Sequence, residues 1–327
     1  MQFLFTFFID SPRGNEMPIL HRGILLLTSL LFFAASQAGA HGFAGKRFFP
    51  ATLAVDDPFV SDELSLLTNH IREPDQVTNE FSVAYSKRIT PNFGLELGET
   101  YQHLKPNEGR SKNGFANLDV GAKYQFFLSD VHETILSVGL DAELGGTGSR
   151  RVADSFSTLS PTFFFGKGFG DLPDSVRFLK PIAVTGAVGL NFPTRNSNVT
   201  TTVDPVTGNI DQNSERNPTT LTWGLTFQYN LQYLQSFVQD IGLKEPFSRM
   251  IPVVELPLST CLNANCKGQT TGTVNPGIIW FGKYLQLGLE AQIPINQRTG
   301  NHVGVLFQLH FFIDDLFPQS LGRPIFR

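Results

Sequence analysis

Apolar and polar residues alternate with a period of two through most of this chain. In HVGVLFQLHFF, residues 302 to 312, Val303, Val305, Phe307, Leu309 and Phe311 take every second position, and Gly304, Gln308 and His310 fall between them. A period of two sends alternate side chains to opposite faces of a strand, so the segment has one apolar and one mostly polar face. In 221 to 231, Leu221, Trp223, Leu225, Phe227, Tyr229 and Leu231 oppose Thr222, Gly224, Thr226, Gln228 and Asn230. The same alternation predicts strands over 81–89, 93–104, 115–126, 134–145, 156–166, 182–192 and 285–295, with weaker rows at 250–260 and 271–280. In 115–126 the apolar row is Ala116, Leu118, Val120, Ala122, Tyr124 and Phe126.

These segments run to about 10 to 13 residues. A tilted strand needs about 9 to 11 residues to cross a bilayer, whereas soluble strands have a mode near 5 or 6. The connections also alternate: TPN near residue 91 is tight, KPNEGRSKNG longer, LSDVHE short, GGTGSRRVADS longer, and 193–218 the longest. Outer-membrane barrels alternate short periplasmic turns with longer external loops in this way. Two inner-side connections, around DLPDSVRFLKP and 232–249, are longer than that rule prefers; Leu231, Leu234, Phe237, Val238 and Ile241 have helical spacing in the second. If the turn after residue 89 is periplasmic, one upward strand is missing before 81. DELSLLTNHI, 62 to 71, fills it and brings the total to twelve, an even number as bacterial barrels have. The expected fold is therefore all-β: an antiparallel up-and-down transmembrane β-barrel of about twelve strands. It covers 61–313, after an N-terminal periplasmic segment or plug at 41–60 and before a tail at 314–327. A soluble secreted β-protein with its apolar faces inward is the competing fold.

Composition agrees with export and a membrane. His21 and Arg22 precede GILLLTSLLFFAA, too short to span comfortably, and Ala38-Gly39-Ala40 supplies small residues for cleavage, so 1–40 reads as a signal peptide, with Met17 as an alternative start. Cleavage after Ala40 removes Asp10, Glu16, Arg13 and Arg22, two of each sign, and leaves the formal charge at -4. No later apolar stretch reaches the roughly 18 residues of a membrane helix. Charged residues make up only 17% of the chain, and no polybasic run offers a nucleic-acid surface. Cys261 and Cys266 in CLNANC read as a loop disulfide in an oxidising compartment, with too few ligands nearby for a metal.

HVGVLFQLHFF is similar to the assembly signal of outer-membrane barrels, with His302, Gly304, Phe307 and Leu309 at the matching positions. It departs in that DDLFPQSLGRPIFR continues the chain. Over most of its length the chain resembles Gram-negative outer-membrane β-barrels, and GAKYQFF and LQLGLEAQIPI resemble strands of transporters associated with the MetA pathway of phenol degradation. The resemblance implies an outer-membrane location, outer-membrane lipid and the barrel-assembly machinery as partners, and passive passage of small solutes, hydrophobic or aromatic ones included.

With the apolar rows toward lipid, the alternate positions line the lumen: Arg88, Glu96, Asp119, Lys123, Asp141, Glu143, Glu255, Glu290 and His310. That acidic interior supports either of two readings: a cation-biased pore, or a closed barrel whose carboxylates pair with lumenal bases and plug residues. A structural or adhesive barrel acting through 193–218 is the alternative function. A barrel hydrolase comes third: His103, His302, Ser149 and Ser155 show no local catalytic spacing, so no catalytic residues are assigned. GTGS, 146 to 149, lacks the following Lys of a phosphate loop and reads as a turn. His41 with its terminal amine would chelate copper only if another His approached. No cofactor or metal is expected.

Overall fold

The computed structural model of the chain describes residues 42–203 and 210–326. The signal segment, His41 and the middle of the 193–218 connection lie outside the described residues. Among the described residues, twelve antiparallel strands close on themselves: β1 (Glu63–Arg72), β2 (Gln76–Thr90), β3 (Phe93–Pro106), β4 (Leu118–Ser129), β5 (Thr134–Leu144), β6 (Thr158–Gly168), β7 (Ile182–Pro193), β8 (Thr220–Tyr229), β9 (Met250–Cys261), β10 (Thr270–Phe281), β11 (Leu285–Pro294) and β12 (Gly304–Phe312). Closure is made by β12 on β1, where Phe307 lies opposite Thr68 and Leu309 opposite Leu66. Closure leaves no sheet edge, which a bilayer requires of any β-structure that crosses it.

The polarity is inverted relative to a soluble protein. Phe81, Leu97, Leu140, Phe163, Phe227, Leu289 and Phe307 are exposed around the wall. Thr185, Thr226, Glu255, Asn275, Gln286, Glu290 and Gln308 are buried inside it. In water such an exposed apolar belt would cost about 25 cal/mol per Å², so the belt faces lipid and the barrel spans the outer membrane. Among the described residues no helix is long and apolar enough to cross a membrane.

The structure corrects local expectations. In β4 an irregularity between Gln125 and Phe127 buries Gln125 and exposes Phe127, so the exposed row steps past the expected Phe126. The β1–β2 connection is only three residues, 73–75, although it lies on the long-loop side. Within 193–218, Ser197–Val203 and Ile210–Arg216 pair as a hairpin that prolongs β7 and β8 outward. Lys112–Phe115 adds a short strand against β3. After β8, Asn230 Oδ1 accepts from Tyr233 N at 2.9 Å and caps a helical turn, Leu231–Tyr233, that continues to Val238.

Residues 42–62 lie inside the barrel. A two-stranded turn, Phe43–Ala44 with Arg47–Phe48, enters from the periplasmic end, and the following chain crosses the lumen. Phe48 and Leu53 pack with Ile251, Val253, Ile279, Phe281, Leu306 and Phe312; Phe49 and Phe59 pack with Ile135 and Ala183. Inward glycines make room for this segment: a Cβ at Gly288 would lie 2.6 Å from Leu53 Cδ1, and one at Gly224 2.7 Å from Val55 Cγ2. The C-terminal tail turns back beneath β2, where Phe326 N donates to Ile89 O at 2.8 Å.

Candidate functional site

The plug is held chiefly by buried polar groups on the wall. Alternation turns Glu255 of β9 inward, where it is fully buried and accepts three successive backbone N–H groups: Leu53 at 2.8 Å, Ala54 at 2.9 Å and Val55 at 2.6 Å. A carboxylate that accepts several backbone N–H groups has replaced the water it lost on burial. Glu290 lies on β11 beside it, with Oε2 accepting from Asn275 Nδ2 at 3.1 Å. Gln286 Nε2 donates to Ala51 O at 2.5 Å, Gln308 Nε2 donates to Thr52 O at 3.2 Å, and Ser137 Oγ donates to Pro58 O.

Basic groups complete the attachment. Lys123 Nζ reaches Asp57 O at 2.9 Å and Asp56 Oδ2 at 3.4 Å. Asp62 accepts from Lys87 Nζ at 2.7 Å and Arg88 Nε at 2.8 Å, and Arg88 also contacts Asp314 of the tail at 3.7 Å. His310 Nε2 lies 3.2 Å from Glu63 Oε2. At the periplasmic mouth the fully buried Arg47 donates to Glu133 Oε2 at 3.0 Å, to Pro181 O at 2.7 Å and to Lys180 O, and stacks 4.0 Å over the Tyr233 ring. Burial lowers the Arg47 pKa, opposed by the adjacent Glu133. Burial, reinforced by Glu133, pushes the Tyr233 hydroxyl up to about 12.

Arg88, Glu255, Glu290 and His310 are thus committed to the plug and its surroundings rather than spread around an open pore. The remaining lumenal residues form one stripe. Cross-strand register sets Glu96, Gly121 and Asp141 in one row and Gly98, Asp119 and Glu143 in the next, on β3, β4 and β5. Glu96 accepts from Ser86 Oγ at 2.6 Å, and Glu143 accepts from Asn117 Nδ2 at 2.8 Å. Lys123 lies one row below, at the plug. Above the plug a cavity of about 370 Å³ has Ala54, Val55 and Asp56 as its floor, Asp141 on one side, and Phe164, Ala187, Pro257, Thr222 and Thr271 among its other walls. It is amphipathic, with carboxylates on one side and apolar and hydroxyl groups elsewhere.

The other residues singled out from sequence lie apart from this cavity. Cys261 and Cys266 are joined in a disulfide at the outer end of β9. His302 precedes β12, and Gly304, Phe307 and Leu309 lie within that closing strand. Ser155 Oγ accepts from Arg195 at 3.0 Å, and among the described residues no His is hydrogen-bonded to Ser149 or Ser155. The plug anchors were missed in sequence because Glu255 and Gln286 look like any other inward polar position; only the fold of 42–62 against them reveals their role.

Among solved structures, an outer membrane channel from Pseudomonas putida F1 superposes over 81% of this chain and 99% of its own, with a TM-score of 0.51 at 9% identity. The barrel fold is shared. The KdgM porin, 14% identical, and the NanC porin, 10% identical, each cover 76% of this chain and 98% of their own with TM-scores of 0.42 and 0.41. No family model matches the chain, and no curated protein matches it in sequence.

Proposed function

We propose that this barrel is a plugged outer-membrane channel for small solutes that combine an apolar, often aromatic, body with a hydrogen-bond-donating or cationic group. The observation that carries the reading is the amphipathic cavity above the plug: carboxylates suit an ammonium or a phenolic O–H, and Phe164, Val55 and Pro257 suit the apolar body. The resemblance to transporters of phenol degradation supports the aromatic class. The barrel shared with the Pseudomonas putida F1 channel is a fold able to carry such a pathway. Passage past Leu53–Val55 requires the plug to shift, because its backbone is hydrogen-bonded across the lumen to Glu255.

Proteoliposomes holding the folded full-length mature chain test this by swelling in isotonic solutes. Permanently charged aromatic ammonium ions, which do not cross a bilayer unaided, are expected to enter faster than a carboxylate of equal size, and faster than into empty vesicles. Equal rates with and without protein would remove the channel reading.

A further inference from the structure

We propose that the outer rim of β1–β3 carries a binding site for the phosphate groups of an outer-leaflet glycolipid. On the lipid-facing side, cross-strand register stacks three rows. The lowest contains Phe81, Tyr101 and Phe115, all exposed, with the Tyr101 and Phe115 rings 5.3 Å apart. Above it lie His70, Asn79, His103 and Asn113, with His70 Nδ1 2.7 Å from Asn79 Oδ1 and Asn113 Nδ2 donating to the Tyr101 hydroxyl at 2.9 Å. The top row is Arg72, Val77 and Lys105.

Aromatic girdles mark the membrane interface. Four residues of strand rise, tilted by about 40°, lift the top row about 10 Å above that girdle, to headgroup depth. There Arg72, Lys105 and His302, all exposed, line one pocket of about 400 Å³, with Val77 among its walls. Among the described residues neither Arg72 nor Lys105 has an acidic side chain within ion-pair distance. The acid in the pocket, Glu73, accepts from Gln76 Nε2 at 2.9 Å and Thr78 Oγ1 at 3.0 Å. Two unpaired cations beside an imidazole, on the outer wall directly above an aromatic girdle, complement a phosphorylated headgroup whose acyl chains lie on the belt below. A free anion would use the cations but gain nothing from the apolar wall beneath them. The site is on the opposite surface of the wall from the solute cavity, so it stands independently of the proposed transport role.

The test is native mass spectrometry of the full-length mature chain in detergent, titrated with bisphosphorylated lipid A and with the same lipid stripped of its phosphates. Wild type is expected to bind the phosphorylated form at least tenfold more tightly. Arg72→Gln and Lys105→Gln are each expected to lose about tenfold, the worth of one charge-assisted hydrogen bond, while Lys283→Gln at the periplasmic end changes nothing. Heat-modifiable gel migration reports that each variant is folded. Equal binding of the two lipids, or wild-type affinity in the Arg72→Gln/Lys105→Gln double variant, would overturn the site. Complete displacement by millimolar inorganic phosphate would assign the pocket to the free anion and overturn the lipid as its occupant.

Discussion

Replacing Glu255 by Ala removes the acceptor for three buried backbone donors at once. The N–H groups of Leu53, Ala54 and Val55 then have no partner on the wall, and each such loss costs about 1 to 3 kcal/mol. The cavity above the plug gives water some access, so the lower figure applies to each, about 3 kcal/mol for the set. The apolar anchors oppose release: Phe48, Phe49, Leu53, Val55 and Phe59 are all buried, and each is worth about 1.5 to 3 kcal/mol. The plug of Glu255→Ala therefore remains docked in its ground state, while the undocked population rises by about two orders of magnitude, since each 1.4 kcal/mol is tenfold. Single-channel recording on the refolded mature chain reads this as a roughly hundredfold increase in the frequency of large-conductance bursts over an unchanged closed baseline. Glu255→Gln retains one acceptor oxygen and should fall between the two. A folded Glu255→Ala barrel with wild-type burst frequency would show that the three hydrogen bonds do not hold the plug.

Four further outcomes are expected. Val55→Cys/Gly224→Cys should lock the plug under oxidation, because a Cβ at Gly224 lies 2.7 and 3.0 Å from the two Val55 Cγ positions, close to the roughly 3 Å reach from Cβ to the opposite sulfur in a disulfide; swelling rates should fall and recover with reductant, with wild type under the same reductant as control. Arg47→Ala leaves the Lys180 and Pro181 carbonyls without their donor and Glu133 with only Tyr233 Oη and Gly170 N, and should cost about 3 kcal/mol, the low end for a broken buried pair, read in denaturant-induced loss of tryptophan fluorescence; Arg47→Lys should recover little of it, since one ammonium cannot reproduce a guanidinium fork. Asp171 is held below the usual carboxylate range mainly by its hydrogen bond from Lys167, with His132 contributing. A lowered folded pKa stabilises the turn above the unfolded value near 4 and loses that stabilisation as pH falls through the folded value, so the protection of amides around 169–173, relative to their intrinsic exchange rates at each pH, should fall below about pH 4 and stay constant above pH 6. Asp141→Asn with Glu143→Gln should reduce cation preference in a KCl gradient by removing two carboxylates from the stripe at the cavity; unchanged reversal potentials would place the ion path elsewhere.

The barrel was readable because lipid imposes a strict rule on every strand: one face apolar, the other free to be polar. Where the rule relaxes, the signal weakened for a physical reason. The rows at 250–260 and 271–280 were faint because Ile251, Val253 and Ile279 point inward and are apolar, packing under the plug at Phe48 and Leu53; those strands are apolar on both faces at their periplasmic ends. Parity rather than pattern marks the β1 strand, since Leu67 breaks its alternation, and the structure packs Leu67 against that same inner cluster. The irregularity at Gln125 was invisible because shifting the row by one residue exchanges Phe126 for Phe127, and both are apolar. The attachment of 42–62 left no periodic trace: its partners are single side chains scattered over β2, β4, β5, β9, β11 and β12, from 25 residues away in sequence at Lys87 to 256 at Gln308.

The way the plug is held bears on how it could yield. Its apolar contacts concentrate at the periplasmic half, where Phe48, Phe49 and Phe59 meet Ile135, Ile279 and Phe312. The stretch that blocks the outer half, Leu53–Val55, is held by hydrogen bonds to Glu255 and by two wall glycines that accept Leu53 and Val55 at close approach. Apolar burial is non-directional and falls gradually with exposed area, whereas a hydrogen bond is lost over about 1 Å. A local shift of 53–55 would therefore break three bonds sharply and expose only two apolar side chains, Leu53 and Val55, while the anchors at Arg47, Phe48 and Phe49 would stay in place. A solute whose own donor reached Asp56 at the cavity floor or Asp141 on its wall would already sit beside that stretch. Partial displacement of 53–55, with 43–49 fixed, is accordingly the opening motion the structure favours, and labels at 47 and 54 should separate the two: in the presence of a small amine, exchange at Ala54 rises while Arg47 stays protected.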